Sequence, residues 1–238
     1  MSEWNAVLYD NKHDFVAEYG KGLLEFVPKN KTQSILDLGC GTGTLTSQLA
    51  DFADTVVGID NSANMIEKAR KQYTDIRFMV CDALALPFEK QFDVVFSNAV
   101  FHWIADHDVL LDQVHNVLKA NGLLVCEFGA NGNIATIESA FMSTCRELEY
   151  EYQPKFNFPT REHFSDLLKK NDFIIDKIYD YDRPTPLKDS ERGLANWMKH
   201  NVHGACSQMH IYANRRIARQ RVMSMQRSGI RMTPKRQT

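Results

Sequence analysis

The most informative stretch of the sequence is Ile35-Leu36-Asp37-Leu38-Gly39-Cys40-Gly41-Thr42-Gly43-Thr44. A short apolar run containing an acid is followed by three glycines at alternate positions, and residues 45–50 then have the composition of a helix. Glycine allows positive φ and lets a ligand approach the backbone, and the start of a helix offers unpaired N–H groups. The stretch therefore predicts a buried strand, a tight loop and a helix, with a small-molecule site where the strand ends.

Strand-like and helix-like segments alternate along most of the chain. Runs of β-branched and aromatic residues predict strands at residues 34–38, 55–59, 76–80, 92–96, 123–128 and 173–181. Apolar residues at helical spacing predict helices at residues 11–27, 44–52, 63–73, 106–118, 133–150, 160–168 and 189–199, with Ser62, Asp106 or Asp108, and Thr160 as caps. This alternation is typical of an α/β fold with a doubly wound, mostly parallel sheet.

Composition narrows the class of protein. Hydrophobic residues make up 44% of the chain and charged residues 24%, which is ordinary for a globular protein. No apolar run approaches the roughly 20 residues of a membrane span, and the first residues lack the features of a signal peptide. The five cysteines are scattered without a Cys-x-x-Cys pair, which argues against a disulfide framework or a zinc knuckle. We expect a cytoplasmic protein with no membrane partner.

Charge is distributed unevenly along the chain. Residues 1–200 contain 20 Lys and Arg against 30 Asp and Glu, whereas residues 201–238 contain 8 basic residues and no acid. One interpretation of this basic tail is a helix that binds nucleic acid or another anionic partner. A second is a solvated tail. A third is that these residues are not the original end of the domain, for instance after a change of reading frame, so that a last strand is missing.

The ends of the predicted strands carry the candidate ligand contacts. Ligands of open α/β sheets bind beyond the carboxyl ends of the strands, where we find residues 39–43, Asp60, Cys81-Asp82 and Ser97-Asn98. A phosphate-binding P-loop would need a lysine after the glycines, and none is present. A dinucleotide fingerprint needs Gly-x-Gly-x-x-Gly, a spacing that the loop does not have, so NAD is disfavoured. The remaining candidate is S-adenosylmethionine, whose ribose Asp60 is placed to bind.

The sequence resembles the class I S-adenosylmethionine-dependent methyltransferases. The resemblance lies, in this order, in residues 37–43, in residues 58–62 with Met65, and in residues 81–83. The resemblance implies a seven-stranded sheet in the order 3-2-1-4-5-7-6. It also implies cofactor contacts from Gly39, Cys40 and Gly41, ribose contacts from Asp60, stacking on adenine by Met65, and an amine contact from Asp82. The complete set of predicted cofactor-binding residues is Asp37, Gly39, Cys40, Gly41, Gly43, Asp60, Asn61, Met65, Cys81, Asp82, Ala83, Asn98 and Ala99.

A closer likeness concerns the N-terminus and the segment after the fourth strand. The sequence resembles trans-aconitate methyltransferases in residues 1–5 with 8–9 and in residues 97–99 with 101–103. Those enzymes, like the malonyl-carrier-protein methyltransferases, esterify a carboxylate. A carboxylate is ionised at neutral pH, so this reaction needs no general base. We expect Tyr9, His102 and Trp103 to line the substrate side of the site. For His102 the alternative is a hydrogen-bonded histidine at the end of a strand, and for Trp103 it is a core residue.

The predicted organisation is a helical lid at 1–30, a cofactor-binding core at 31–130, substrate-side helices with a sixth strand at 131–200, and the basic tail at 201–238. The predicted function is methyl transfer to a small molecule, with a carboxylate oxygen as the preferred acceptor. Alternatives are a non-catalytic cofactor-binding protein that engages RNA or a partner through its tail, and a nicotinamide oxidoreductase. No Asn/Asp-Pro-Pro-Tyr/Phe follows the fourth strand, which disfavours DNA amino-methylation. We expect no metal, and place His102, His107 and His115 on a solvated surface.

Overall fold

A computed structural model describes residues 20–152 and 154–182 of the 238-residue chain. The chain divides into two compact units, one formed by Met1–Asn133 with Phe156–Tyr181 and the other by Ile134–Lys155 with Asp182–Thr238. The predictions for Tyr9 and most of the lid, for a helix at 189–199, for a last strand and for the basic tail lie outside the described residues.

The first unit is built on a five-stranded sheet in the order β3-β2-β1-β4-β5. All neighbouring strands run parallel. The order reverses between β1 and β4, because the chain builds outward from β1 to β3 and then returns to the other side of β1. The predicted α/β class and the order of the first five strands are therefore confirmed. The strands are β1 (Ser34–Leu38), β2 (Thr55–Asp60), β3 (Arg77–Val80), β4 (Phe92–Asn98) and β5 (Leu118–Glu127).

Helices connect these strands, and each predicted cap is present. Ser62 Oγ accepts a hydrogen bond from the Met65 N–H, Asp106 Oδ1 accepts from the Val109 N–H at 3.0 Å, and Thr160 Oγ1 accepts from the His163 N–H at 3.1 Å. Such contacts satisfy N–H groups that the helix itself leaves unpaired. The helices are α1 (Thr44–Leu49), α2 (Ala63–Gln72), α3 (His107–Val117), α4 (Ala135–Glu147) and α5 (Arg161–Lys170).

The sheet is buried on both faces. On one face Leu36 and Leu38 of β1 pack in a cluster that includes Phe101 and residues of α3 and α5. On the other face Ile35 packs in a second cluster with residues of α1. Burial on both sides explains why the β1 sequence is an almost continuous apolar run, as is typical of parallel sheets. In the described residues, no helix is long and apolar enough to cross a membrane.

The second unit is described only in part. Its helix α4 is shorter than the predicted helix at 133–150, and the chain turns at Glu149, which has a positive φ of 57°. Phe141 of α4 and Tyr152 make an edge-to-face ring contact with centroids 5.4 Å apart, so that the helix and the segment after it pack together.

Two predicted strands differ from the structure. Residues 173–181 form no strand: Phe173 and Ile175 pack against the core and Ile174 is 92% exposed, but the segment makes no sheet ladder. The implied strand order places a sixth strand beside the seventh alone, and the described residues contain no seventh strand to pair with it. The fifth strand begins at Leu118 instead of residue 123, because Leu118 already pairs with Phe92. The register then shifts, and regular pairing starts at Val94 with Leu123.

Candidate functional site

The three glycines after β1 differ in what they face. Gly39, Gly41 and Gly43 have φ values of 79°, 55° and 85°, a region that other residues adopt at a cost. A Cβ on Gly39 would lie 2.1 Å from Val100 Cγ2, and one on Gly43 would lie 2.8 Å from Phe78 Cζ. A Cβ on Gly41 would meet nothing within 4 Å. Packing therefore requires two of the glycines, whereas the third borders open space that a ligand can occupy.

Asp60 holds the glycine loop in place from the end of β2. Its Oδ2 accepts a hydrogen bond from the Gly41 N–H at 3.0 Å, and its Oδ1 accepts from the Ser62 N–H at 2.8 Å. Burial raises the pKa of Asp60, and these two hydrogen bonds oppose that rise. Each carboxylate oxygen can accept a second hydrogen bond, so the group can also bind the hydroxyls of a ribose. The predicted ribose contact from Asp60 fits this geometry.

Asp37 lies beneath the loop and connects β1 with α1. Its side chain is 2% exposed, and its Oδ2 accepts a hydrogen bond from Thr46 Oγ1 at 2.6 Å. Burial, reinforced by the charge of Asp60 and opposed by the Thr46 bond, raises the pKa of Asp37 to about 7. The contact supports the loop from inside the protein.

The ends of β2 and β3 lie side by side. The Cys81 N–H donates to the Asp60 backbone oxygen at 3.0 Å, and the Leu84 N–H donates to Asp82 Oδ1 at 2.9 Å. The second contact is a turn closed by an aspartate side chain, which holds the residues after β3 in a bend. Of the predicted contacts in this region, Asn61 and Asp82 are exposed, Met65 is buried, and Cys81 and Ala83 are half-buried.

The end of β4 brings a strained residue to the same edge of the sheet. Asn98 is buried, and Ala99 has a φ of 60° while its N–H donates to the Glu127 backbone oxygen at 2.7 Å. Non-glycine residues in this region are uncommon and concentrate at functional sites. Since Val100 follows and packs on Gly39, the segment after β4 touches the glycine loop.

Four half-buried rings lie beyond β4 and β5 and form what we call the aromatic cluster: His102, Trp103, Phe156 and Phe158. The ring centroids of Trp103 and Phe156 are 4.5 Å apart, those of Phe156 and Phe158 are 5.2 Å apart, and those of His102 and Phe158 are 5.6 Å apart. His102 and Trp103 were predicted to lie on the substrate side, whereas Phe156 and Phe158 were not predicted. Two large apolar residues flanking Asn157 in a proline-bounded loop were the available signal.

His102 has a defined protonation state in this arrangement. Its Nδ1 lies 3.1 Å from the Gly129 backbone nitrogen, which can only donate a hydrogen bond. Nδ1 therefore accepts, and the ring is neutral with its proton on Nε2. His102 is therefore hydrogen-bonded after the fourth strand, as the alternative interpretation expects, and its place on the substrate side stays a prediction.

The expectation of a solvated histidine surface is wrong for His107, which is 3% exposed. Its Nε2 donates to the Phe101 backbone oxygen at 2.9 Å, and burial lowers the pKa of the ring. The start of α3 packs against aromatic residues, Phe128 and Phe164 among them, which removes this histidine from solvent. Within the described part of the chain, no group of three or more His, Cys, Asp and Glu residues is placed to hold a metal ion.

Comparison with known proteins identifies similar sequences and folds. Residues 36–126 match the family model described as methyltransferase domain. An uncharacterized methyltransferase of Schizosaccharomyces pombe is 32% identical over 215 residues, covering 84% of this chain and 82% of that protein. A trans-aconitate 2-methyltransferase of Deinococcus radiodurans is 33% identical over 212 residues, covering 82% and 79%. Other relatives of the latter name align over about half of their length.

A solved structure shares the fold. The geranyl diphosphate C-methyltransferase of Streptomyces coelicolor, in complex with S-adenosyl-L-homocysteine, superposes with a TM-score of 0.55 at 16% identity. The superposition covers 87% of this chain and 75% of that one.

Proposed function

This chain belongs to the S-adenosylmethionine-dependent methyltransferases, and we propose that it methylates a carboxylate oxygen of a small organic acid. It is an enzyme whose cofactor is S-adenosylmethionine, which supplies an electrophilic methyl group on a sulfonium sulfur. The substrate is the proposed part, and it draws support from the relatives named trans-aconitate 2-methyltransferase and from the state of one histidine.

The residues at the strand ends fit this cofactor. Gly39 and Gly43 satisfy the packing of the loop, and Gly41 leaves space for the methionine part to approach the backbone. Asp60 offers carboxylate lone pairs to the ribose hydroxyls, and hydrogen bonds to a charged group are worth about 1.5–3 kcal/mol each. The further residues proposed to line the cofactor are Cys40, Asn61, Met65, Cys81, Asp82, Ala83, Asn98 and Ala99, and the buried Asp37 is proposed to act indirectly, by supporting the loop through Thr46.

The reaction is an in-line displacement. A lone pair of the carboxylate oxygen forms the new O–C bond while the C–S bond breaks and its electron pair stays on sulfur, giving a methyl ester and S-adenosylhomocysteine. No proton is released, because carboxyl groups with a pKa of about 4 are already ionised at neutral pH. Orientation of the two reactants can supply much of the rate.

The observation that carries the choice of acceptor is the hydrogen bond from the Gly129 N–H to His102 Nδ1. Because Nδ1 is engaged and Nε2 holds the proton, His102 cannot remove a proton while this contact persists. Phenols and alkylammonium groups, with pKa values of about 10, would require such a base. His102 is instead suited to donate a hydrogen bond from Nε2 and orient an anionic acceptor, with Tyr9 and Trp103 as further residues of the substrate side.

The test compares three acceptors that each combine a benzene ring with a two-carbon side chain but differ in the reacting group. We would incubate the full chain and labelled S-adenosylmethionine with hydrocinnamate, 4-ethylphenol or 2-phenylethylamine, and with trans-aconitate as a second acid. The expected product is a methyl ester, recognised by its mass and by its release of methanol in mild alkali. Methylation of the phenol or the amine without any ester would overturn the proposal.

Variants of His102 test its role. His102→Ala is expected to lower kcat/KM about tenfold, since one orienting hydrogen bond is lost. His102→Gln keeps an acceptor and a donor and is expected to recover much of the rate. His115→Ala is the matched control, because His115 is exposed on α3 and contacts Phe173. If His102→Ala left the rate with the best acid unchanged, this histidine would have no part in binding the acceptor.

A further inference from the structure

We propose that Phe156 and Phe158 determine substrate specificity and select an acid that carries one carboxylate on a planar, apolar skeleton. The inference rests on the proposed carboxylate methylation, and it concerns the part of the acceptor that is not methylated. It separates this chain from its relatives named for trans-aconitate, an acid with three carboxylates.

The geometry of the rings favours a planar partner. The ring of Phe158 is inclined by 21° to that of Phe156 and by 27° to that of His102, so it is nearly parallel to each of them, while His102 and Phe156 are inclined to each other by 48°. Each remains half-buried and keeps part of its surface accessible. Because these rings already stack on one another, a flat, unsaturated group would pack on the parts of their faces that remain accessible, through offset stacking and the burial of apolar area.

The backbone around the rings holds them in position. The Asn157 N–H donates to the His102 backbone oxygen at 2.9 Å, and Asn157 Nδ2 donates to the Ala105 backbone oxygen at 2.8 Å. The loop is therefore attached to the segment that follows β4. The Asn131 N–H donates to the Pro159 backbone oxygen at 2.9 Å, which also attaches it to the segment after β5. The two phenylalanines thus stand on a fixed loop.

Gly129 makes room for one of these rings. A Cβ at this position would lie 2.5 Å from Phe158 Cε1 and 2.9 Å from Phe158 Cδ1. The same glycine donates its N–H to His102 Nδ1. Gly129 therefore holds His102, which we propose binds the carboxylate. It also leaves room for the Phe158 ring, which we propose contacts the apolar skeleton.

The three loops that carry or adjoin the aromatic cluster have few charged residues, which suits an apolar skeleton. Residues 99–106, 128–133 and 156–159 contain no Lys or Arg and one acid, Asp106, and the one Lys or Arg directly beside them in sequence is Lys155, before Phe156. The Asp106 carboxylate caps α3. A tricarboxylate brought to these loops would have additional charges without basic partners from them, and unpaired charges in a partly desolvated site are costly. An acid with one carboxylate leaves no second charge to be compensated there.

The experiment measures kcat/KM of the full chain for trans-cinnamate, hydrocinnamate and trans-aconitate. We expect trans-cinnamate to exceed trans-aconitate by at least about tenfold. Phe158→Leu and Phe156→Leu are each expected to lower kcat/KM for trans-cinnamate about tenfold and to leave that for trans-aconitate within about twofold. Phe158→Tyr keeps the ring and is expected to retain the wild-type preference.

Two further variants separate specificity from folding. Gly129→Ala displaces the Phe158 ring and is expected to reproduce the Phe158→Leu preference. Phe88→Leu is the matched control, because Phe88 is a half-buried ring paired with Phe92 at the opposite end of β4, with centroids 5.1 Å apart. We would measure the S-adenosylmethionine affinity and the unfolding temperature of every variant. For the Phe156 and Phe158 variants, both quantities are expected to match those of the wild type.

The outcomes are distinguishable. A preference for trans-aconitate, or equal losses on all three acids in Phe158→Leu and Phe156→Leu, would overturn this inference while ester formation still supported the proposed function. Methylation of phenols or amines with no ester from any acid would overturn the proposed function, and the inference with it.

Discussion

Asp60 holds the glycine loop with the same carboxylate that we propose binds the cofactor. Its two oxygens accept hydrogen bonds from the Gly41 and Ser62 N–H groups, so the loop shape depends on it before any ligand binds. The same oxygens have further lone pairs for ribose hydroxyls. Loss of the carboxylate should therefore affect cofactor affinity in two ways.

Replacement of Asp60 by Asn tests this dual use. An amide has one acceptor oxygen, so one of the two N–H groups would face an NH₂ group. We expect S-adenosylmethionine to bind about 10- to 100-fold more weakly, which corresponds to about 1.5–3 kcal/mol. Isothermal titration calorimetry measures this. Asp54→Asn, an exposed acid just before β2, should bind like the wild type; equal losses in both variants would contradict the assigned role.

The glycine loop gives a second prediction at this scale. Gly39→Ala would place a Cβ 2.1 Å from Val100 Cγ2 and should lower the unfolding temperature strongly. Gly41→Ala has space and should cost about 1–2 kcal/mol of stability from its left-handed backbone alone. It should nevertheless weaken cofactor binding, because its methyl group enters the space that the ligand uses. Unfolding curves with and without S-adenosylmethionine separate the two effects, and a cofactor affinity unchanged in Gly41→Ala would refute this placement.

Between elements, Asp37 connects β1 with α1 through Thr46, and the burial of its carboxyl group makes the stability of the folded chain depend on pH. The pKa of Asp37 is raised from 3.8 to about 7 in the folded protein. The folded state therefore binds this proton more tightly than the unfolded state does. The resulting stabilisation is fully present below the unfolded pKa and is lost as the pH rises through about 7.

Asp37→Asn removes this titration. We expect the free energy of unfolding of the variant, relative to the wild type, to rise between about pH 4 and pH 7 and to level off above that range. Urea denaturation at a series of pH values measures the difference, in which the titration of other groups largely cancels. A difference that stayed constant over the range would show that Asp37 has an ordinary pKa.

At the opposite edge of the sheet, Asp93 connects three strands. Its Oδ2 accepts hydrogen bonds from the Ser34 N–H and Oγ, both at 2.8 Å, and from Lys119 Nζ at 2.7 Å. The hydrogen bond from Lys119 and those from Ser34 lower the pKa of Asp93. These contacts join the starts of β1 and β4 to the irregular part of β5.

We expect Asp93→Ala to lower the free energy of unfolding by about 1–3 kcal/mol, because it leaves the Ser34 N–H without its acceptor, while the Ser34 hydroxyl can still donate to the Gln91 backbone oxygen. Lys119→Ala should cost less than about 1 kcal/mol, since both members of this ion pair are substantially exposed. Chemical denaturation of the two variants gives the comparison. A larger loss for Lys119→Ala would mean that the ion pair, and not the Ser34 contacts, stabilises this edge.

Local patterns determined how much of the fold was predictable. Strands β1 to β4 and three helix caps follow from apolar periodicity and from single polar residues, which depend on near neighbours. The segment 173–181 has the alternation of a strand, but a strand also needs a partner, which its own sequence cannot reveal. Phe156 and Phe158 were missed for a similar reason, because their role depends on Gly129 and His102, distant in sequence.

Across the first unit, the strand order brings the proposed cofactor site and the proposed acceptor site to one edge of the sheet. The glycine loop and Asp60 follow β1 and β2, and the aromatic cluster lies beyond β4 and β5. Val100 joins the two regions by packing on Gly39. The proposed cofactor residues could be named from the sequence because they directly follow recognisable strands, whereas the proposed acceptor residues come from three loops.

The most direct test of methyl transfer to a carboxylate without a general base is a pH profile. We would measure kcat/KM for the best carboxylic acid acceptor with the wild type and His102→Gln between about pH 5.5 and pH 9. The predicted ratio of the two enzymes is constant, since His102 only donates a hydrogen bond and the titration of Asp37 affects both alike. A ratio that rises about tenfold per pH unit and then levels off near the pKa of a histidine would identify His102 as a base and contradict the account.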